Sequence, residues 1–264
     1  MNFEKSTIEE LKHQLITEFK DCKGFSDKLL QENKHIWEKI DKHPFFNEIE
    51  SGSLPREKYK TYAIQNYYYF IEWFRCCAAA GTKASTSSEV LKYKRWATDT
   101  ESEFNKYVAI IKNFGITDKE LLQVETDPTI PLPAARAYVD YSYKIYSTGS
   151  PGEMAAAILP CAWTYAPRDI GGLACPLRVA TGLANHYGVN REIALDYGNY
   201  ANQKEQYRHL ISLKNTINEN AKTGKEVVDR IKDVFCRCSE YEYTWWDIGY
   251  RHDPKKKRET GSPY

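Results

Sequence analysis

After Pro55 the chain runs "REKYKTYAIQNYYYFIEWFRCCAAAGTKA", with no further proline and no glycine before Gly81. Proline fixes its own φ and is tolerated in the first turn of a helix, so Pro55 opens a long helix here. The same grammar repeats along the chain. Ser6 and Glu9 have capping-box spacing before "ELKHQLITEF", and Ser87/Ser88 precede "EVLKYKRWATDTESEFNKYVAIIKNF". "DPTIPLPAARAYVDYSYKIYSTGSPG" reads as a proline-rich loop and a helix ended at Gly149-Ser150-Pro151. "GEMAAAILPCAWTYAPRDIGG" is helical, with kinks expected at Pro160 and Pro167. "REIALDYGNYANQKEQYRHLISLKNTINEN" and "KEVVDRIKDVFCRCSEYEYTWWDIGYR" complete the set. Strand alternation and hairpin turns do not occur, and no linker separates two halves. The expectation is all-α: a single-domain bundle of about eight helices.

Lys plus Arg number 37 against 36 Asp plus Glu, so the chain presents no net field to attract nucleic acid or an anionic membrane. No apolar run reaches the roughly 18 residues of a spanning helix, and the charged start "MNFEKSTIEELKHQL" is unlike a signal peptide. A cytoplasmic protein is expected, with its seven cysteines reduced. The KKKR run in "HDPKKKRETGSPY" reads as a solvated chain end.

The 20 tyrosines point toward a site. A buried tyrosine needs a partner for its hydroxyl, which makes it a costly choice for plain core. At helical spacing Asn66, Tyr69, Trp73 and Cys77 share a face. So do Cys161 and Tyr165, Tyr138 and Tyr141, and Tyr197, Tyr200 and Tyr207. On the last helix Glu242 lines up with Trp245 or Trp246 and with Gly249. An acid among rings needs a partner or a shifted pKa. Should these faces converge, they enclose an aromatic pocket with an amide, a thiol, hydroxyls and one carboxylate. Such a pocket suits a flat, nitrogen-bearing ring.

Other chemistries find less support. Glu205 and His209 form one Glu-x-x-x-His pair, where a di-iron bundle needs a second set and more carboxylates. Cys236-x-Cys238 lacks the second chelating pair of a zinc site, so no metal is expected. His35 or His43 would be the axial residue of a haem, but lone helical histidines are usually structural. Cys76 and Cys77 read as core thiols.

Three segments together resemble the TenA/thiaminase II family: "KHPFFNEIESGSLPREKYKTYAIQNYYYF", "AAAILPCAWTYAPRDIGGLA" and "EYEYTWWDIGYR". The resemblance spans residues 25–251, leaving 1–24 as an N-terminal helical extension and 252–264 as a basic tail. It implies a haem-oxygenase-like bundle without haem or other cofactor, assembled as a homotetramer. It implies hydrolysis of thiamin and thiamin-derived aminopyrimidines, releasing 4-amino-5-hydroxymethyl-2-methylpyrimidine for salvage. By position, Cys161 is then the nucleophile and Glu242 the acid/base at a ring nitrogen. Tyr200 orients that carboxylate, while Tyr69, Tyr138 and Tyr165 line the substrate. The family's aspartate is Asn66 here, which can hydrogen-bond to the ring but cannot exchange a proton. A non-catalytic pyrimidine binder or carrier of the same fold is therefore the alternative. A regulatory DNA-binding role lacks a helix-turn-helix and a basic face, and a quinone-cofactor oxidase needs more pocket histidine and arginine. "APRDIGG" carries two residues more than the family pattern.

Overall fold

The computed structural model describes residues 2–199 and 204–251. The basic tail and Tyr200 lie outside the described residues. The described chain is helical throughout: α1 (Asn2–Asp21), α2 (Phe25–Glu32), α3 (Lys34–Asp41), α4 (Pro44–Ser51), α5 (Arg56–Lys83), α6 (Ser87–Phe114) and α7 (Asp118–Thr126). After these come α8 (Pro133–Thr148), α9 (Pro151–Tyr165), a 3-10 turn at Arg168–Ile170, α10 (Cys175–His186), α11 (Arg191–Gly198), α12 (Lys204–Asn220) and α13 (Lys225–Arg251). The long helices stand where the sequence places them. The expected count of about eight was too low because residues 25–51 break into three short helices, because α7 and α10 were not anticipated, and because α11 and α12 replace one expected helix.

Helix starts follow side-chain chemistry. Pro55 stands at the N-cap of α5. For α6 the cap is Thr86, one residue ahead of the serines: its hydroxyl accepts from Glu89 N at 3.2 Å, and the Glu89 carboxylate accepts from Thr86 N. Ser6 lies inside α1, so the Ser6–Glu9 spacing is not a helix start. α9 runs through Pro160 and ends at Tyr165, ahead of Pro167. His43 caps α4, its Nδ1 accepting from Phe45 N at 3.2 Å, while its Nε2 meets Asp247 at 3.0 Å. Both ring nitrogens are thus committed to structure, and His35 is exposed.

Two layers bury the centre of the bundle. α9 lies against α12 and α13, and α5 lies against α6, α8 and α13. The α5–α13 crossing is close because Gly249 has no side chain. A β-carbon there would sit 2.5 Å from Tyr62 Cβ. The gap lets Tyr62 stack on Trp246 at 5.2 Å and 15°. α1 covers α12, with Leu15 and Phe19 in the core and Phe19 stacked on Trp163 at 6.1 Å. Lys214 is buried beneath it and ion-paired to Asp27 at 2.9 Å. No helix among the described residues is long and apolar enough to cross a membrane.

Candidate active site

α5, α8, α9 and α13 each send polar groups to one small cavity. Asn66 and Tyr69 come from α5, Tyr138 from α8, Cys161 and Tyr165 from α9, and Glu242 from α13. Six of the seven expected residues are thereby brought together. Spacing explains the local arrangement. Asn66 and Tyr69 are three apart, and Cys161, Thr164 and Tyr165 stand at i, i+3 and i+4, so each set shares a helix face.

At the centre a phenol and a thiol flank one carboxylate. Tyr138 donates its hydroxyl proton to Glu242 Oε1 at 2.6 Å. The Cys161 thiol lies beside the same carboxylate and beside the Tyr69 hydroxyl. Thr164 also lies within reach of Glu242, although its hydroxyl donates to the Cys161 carbonyl at 2.8 Å. Glu242 is 4 % exposed, and this burial pushes its carboxyl up to about 7, against the partial relief given by Tyr138, Cys161 and Thr164. Burial, reinforced by the nearby carboxylate, also drives the Cys161 thiol well above its usual value. The resting pair is therefore a protonated thiol beside a carboxyl poised near neutrality.

Asn66 faces the same cavity at 4 % exposure, and its amide nitrogen has no hydrogen-bond partner among the described residues. Tyr107 lies beside that amide, but its hydroxyl donates to the Ala63 carbonyl at 3.1 Å. A buried donor without an acceptor costs roughly 1–3 kcal/mol, a penalty that a ligand acceptor would relieve.

The cavity has two chambers. The inner one is about 20 Å³, close to the room for a single water, so a ring entering it displaces side chains. The outer one is about 110 Å³ and is bounded by Trp73, Trp96, Asp99, Glu103, Gln206 and His209, among others. Tyr69, Cys161 and Tyr165 line both, which places the thiol at the junction. Tyr165 is held there by a 2.8 Å hydroxyl–hydroxyl bond to Tyr197.

The remaining expected stripes go elsewhere. Cys77 is buried core, and Tyr141 packs on Tyr241. Tyr207 donates to Asp169, so its face turns to the 3-10 turn rather than to the cavity. That turn folds against α1 and lines neither chamber. Glu205 is half-buried and lines neither chamber, and His209 packs its ring on Trp96 at 5.0 Å. No group of three or more His, Cys, Asp or Glu among the described residues is placed to hold a metal ion. Sequence reasoning missed Thr164, which the i+3 spacing from Cys161 would have revealed. It also missed Asp99 and Glu103, which only the packing of α6 brings in.

Comparison with known proteins is consistent across sequence and structure. The profile of the TENA/THI-4/PQQC family matches residues 30–252. An aminopyrimidine aminohydrolase of Helicobacter pylori is 27% identical over 229 residues, which is 86% of this chain and 98% of the relative. The aminopyrimidine aminohydrolase of Bacillus subtilis is 26% identical, over 87% of this chain and 91% of its own. A TenA homologue from P. horikoshii superposes with a TM-score of 0.69 and 26% identity, covering 87% of this chain and 99% of that one. A domain with a haem-oxygenase-like fold from Shewanella denitrificans gives a TM-score of 0.65 at 18% identity, covering 85% and 91%. The bundle is haem-oxygenase-like.

Proposed function

Because the chain belongs to the TENA/THI-4/PQQC family, we propose that it hydrolyses aminopyrimidines of the thiamin type, with Cys161 as nucleophile and Glu242 as acid and base. The observation that carries this reading is the Cys161 thiol lining the same aromatic cavity as a buried carboxyl pushed up to about 7. The activity for which the relatives are named, aminopyrimidine aminohydrolase, fits that pair.

The proton accounting is simple. Glu242 in its protonated form gives a proton to a ring nitrogen, which makes the neighbouring ring carbon electrophilic. Sulfur bonds to that carbon, and the thiol proton returns to Glu242. The ring then expels the substituent on the adjacent methylene, an amine leaving with the proton held by Glu242 and a thiazolium leaving as the neutral thiazole. Water adds to the methylene carbon, giving its proton to the Glu242 carboxylate or, after the thiazole has left, to solvent. Loss of the sulfur as thiolate, which takes back the ring-nitrogen proton through Glu242, restores ring and enzyme. Tyr138 holds Glu242, Tyr69 supports the sulfur, and the free amide of Asn66 reads the ring edge. Glu242 alone moves protons between thiol and ring, so a carboxylate at position 66 is not required. Tyr200, outside the described residues, keeps its proposed role of orienting Glu242.

A second reading, a binder without turnover, is favoured by the neutral Asn66. The two separate on one assay. The chain is incubated with thiamin and with an aminomethyl pyrimidine, and the pyrimidine alcohol is followed by chromatography. Steady release beyond one equivalent is expected. Binding without release would establish the carrier, and neither binding nor release would overturn both. Assembly as a homotetramer is proposed from the family likeness and is tested by light scattering against the chain mass of 30.6 kDa.

A further inference from the structure

We propose that Glu103 is a second catalytic carboxylate, the base that takes the proton of the hydrolytic water when the departing group leaves as a neutral ring. This rests on the pyrimidine reading of the cavity. An amine that leaves carries off the proton of Glu242, whose carboxylate is then free to accept one from water. A thiazole nitrogen takes the bonding pair without a proton, so Glu242 is still protonated when water bonds to the methylene carbon. One proton is left over in each such turnover, and it needs an acceptor other than Glu242 on its way to solvent.

The inner chamber, about 20 Å³, has no room for water beside a bound ring, so water reaches the methylene from the outer chamber. Most titratable groups on that wall are poor acceptors. Cys161 is bonded to the ring at this stage, and burial drives the Tyr69 and Tyr165 hydroxyls well above their usual value. Burial holds His209 down at about 4, which makes it a weak base. The two carboxyls of the wall are Asp99 and Glu103, one turn apart on α6. Asp99 is half-buried and feels the charge of Arg95. Glu103 is 7 % exposed. One of its oxygens accepts from Lys106 at 3.1 Å, and Oε2 has no hydrogen-bond partner among the described residues. A buried acceptor without a donor is a standing cost, which a water donating to it relieves. Burial pushes the Glu103 carboxyl up to about 7, against the opposing pull of Lys106. A base of that strength accepts a proton and returns it to solvent at neutral pH. Lys106 also meets Asp196 at 3.6 Å, and Asp196 is exposed, so a row of charges runs from the chamber to the surface.

The test measures kcat of the full chain at saturating thiamin and at saturating aminomethyl pyrimidine, and takes the ratio of the two. Glu103→Gln keeps the shape of the side chain and removes the base. It is expected to lower the thiamin-to-aminomethyl ratio about tenfold or more, within the usual scale of general-base catalysis. Glu103→Asp keeps a carboxyl on that wall and is expected to retain more of the ratio, while Asp99→Asn removes a neighbouring charge and is expected to shift it less. Circular dichroism is the folding control. A carboxylate that only attracted a cationic substrate would change KM for thiamin and leave the kcat ratio at its wild-type value. That outcome, or equal shifts in Glu103→Gln and Asp99→Asn, or an aspartate variant no better than the glutamine, would overturn the proposal. Wild type that releases pyrimidine alcohol from neither substrate would overturn the pyrimidine reading itself, and this proposal with it.

Discussion

Tyr138 on α8 donates to Glu242 on α13 across 104 positions of sequence, at 2.6 Å, and neither side chain reaches bulk solvent. That bond opposes the burial that raises the Glu242 carboxyl. Tyr138→Phe removes it, so the carboxyl moves above about 7 and the ionisation attributed to Glu242 shifts to higher pH. A profile of kcat/KM against pH for wild type and variant checks the direction. A shift to lower pH, or none, would show that the phenol does not act on this carboxyl.

Burial of Glu242 also has a cost in stability whose sign is fixed. The folded-state value of about 7 lies above the ordinary 4.5, so the contribution is fully present below about 4.5 and lost as pH rises through 7. Ionising the group in place costs about 3 kcal/mol, taking 1.36 kcal/mol for each pH unit between those values. Glu242→Gln removes the titration and is expected to gain melting temperature relative to wild type between pH 5 and pH 8. Its turnover should fall about a hundredfold or more. Thermal melts across that window, with rates on the same preparations, test both halves.

Asn66→Asp places a second carboxyl in the inner chamber with Glu242. Two like charges in one site titrate as a pair, with one ionisation pushed up. The expected outcome is an additional ionisation in the kcat/KM profile, absent from wild type. A profile that superposes on wild type would show that position 66 is outside the electrostatic reach of the reacting groups.

The α5–α13 crossing depends on Gly249. Gly249→Ala inserts a carbon 2.5 Å from Tyr62 Cβ, where backbone and a stacked ring must yield. Overpacking of this kind costs about 1–3 kcal/mol, measurable as a lower midpoint in urea. Because Tyr62 and Trp246 both line the inner chamber, KM should rise with it.

Much of this site could be read from the sequence because its residues sit on long helices, where spacing alone fixes a face. Cys161 with Tyr165, Asn66 with Tyr69, and an acid inside "EYEYTWWDIGY" all declared themselves in that way. Asp99 and Glu103 did not. They lie in "ATDTESEF", which reads as a solvated face, and their burial comes from the crossing of α6 over α5. The three-tyrosine stripe misled for the same reason: Tyr197 reaches Tyr165, whereas Tyr207 is claimed by Asp169. Local period tells which residues share a face but not which neighbour that face meets. The short helices between Phe25 and Ser51 were missed because eight residues give barely two turns of pattern.

The covalent role of Cys161 is tested most directly by a single turnover experiment with an aminomethyl pyrimidine, comparing wild type with Cys161→Ser. A hydroxyl is a far weaker nucleophile at neutral pH, and this one would sit in the same half-buried position beside the Glu242 carboxyl. The account predicts that wild type releases the pyrimidine alcohol, and that the serine variant still binds the ring but releases less than about one hundredth as much in the same time. Equal release from the two proteins would contradict it.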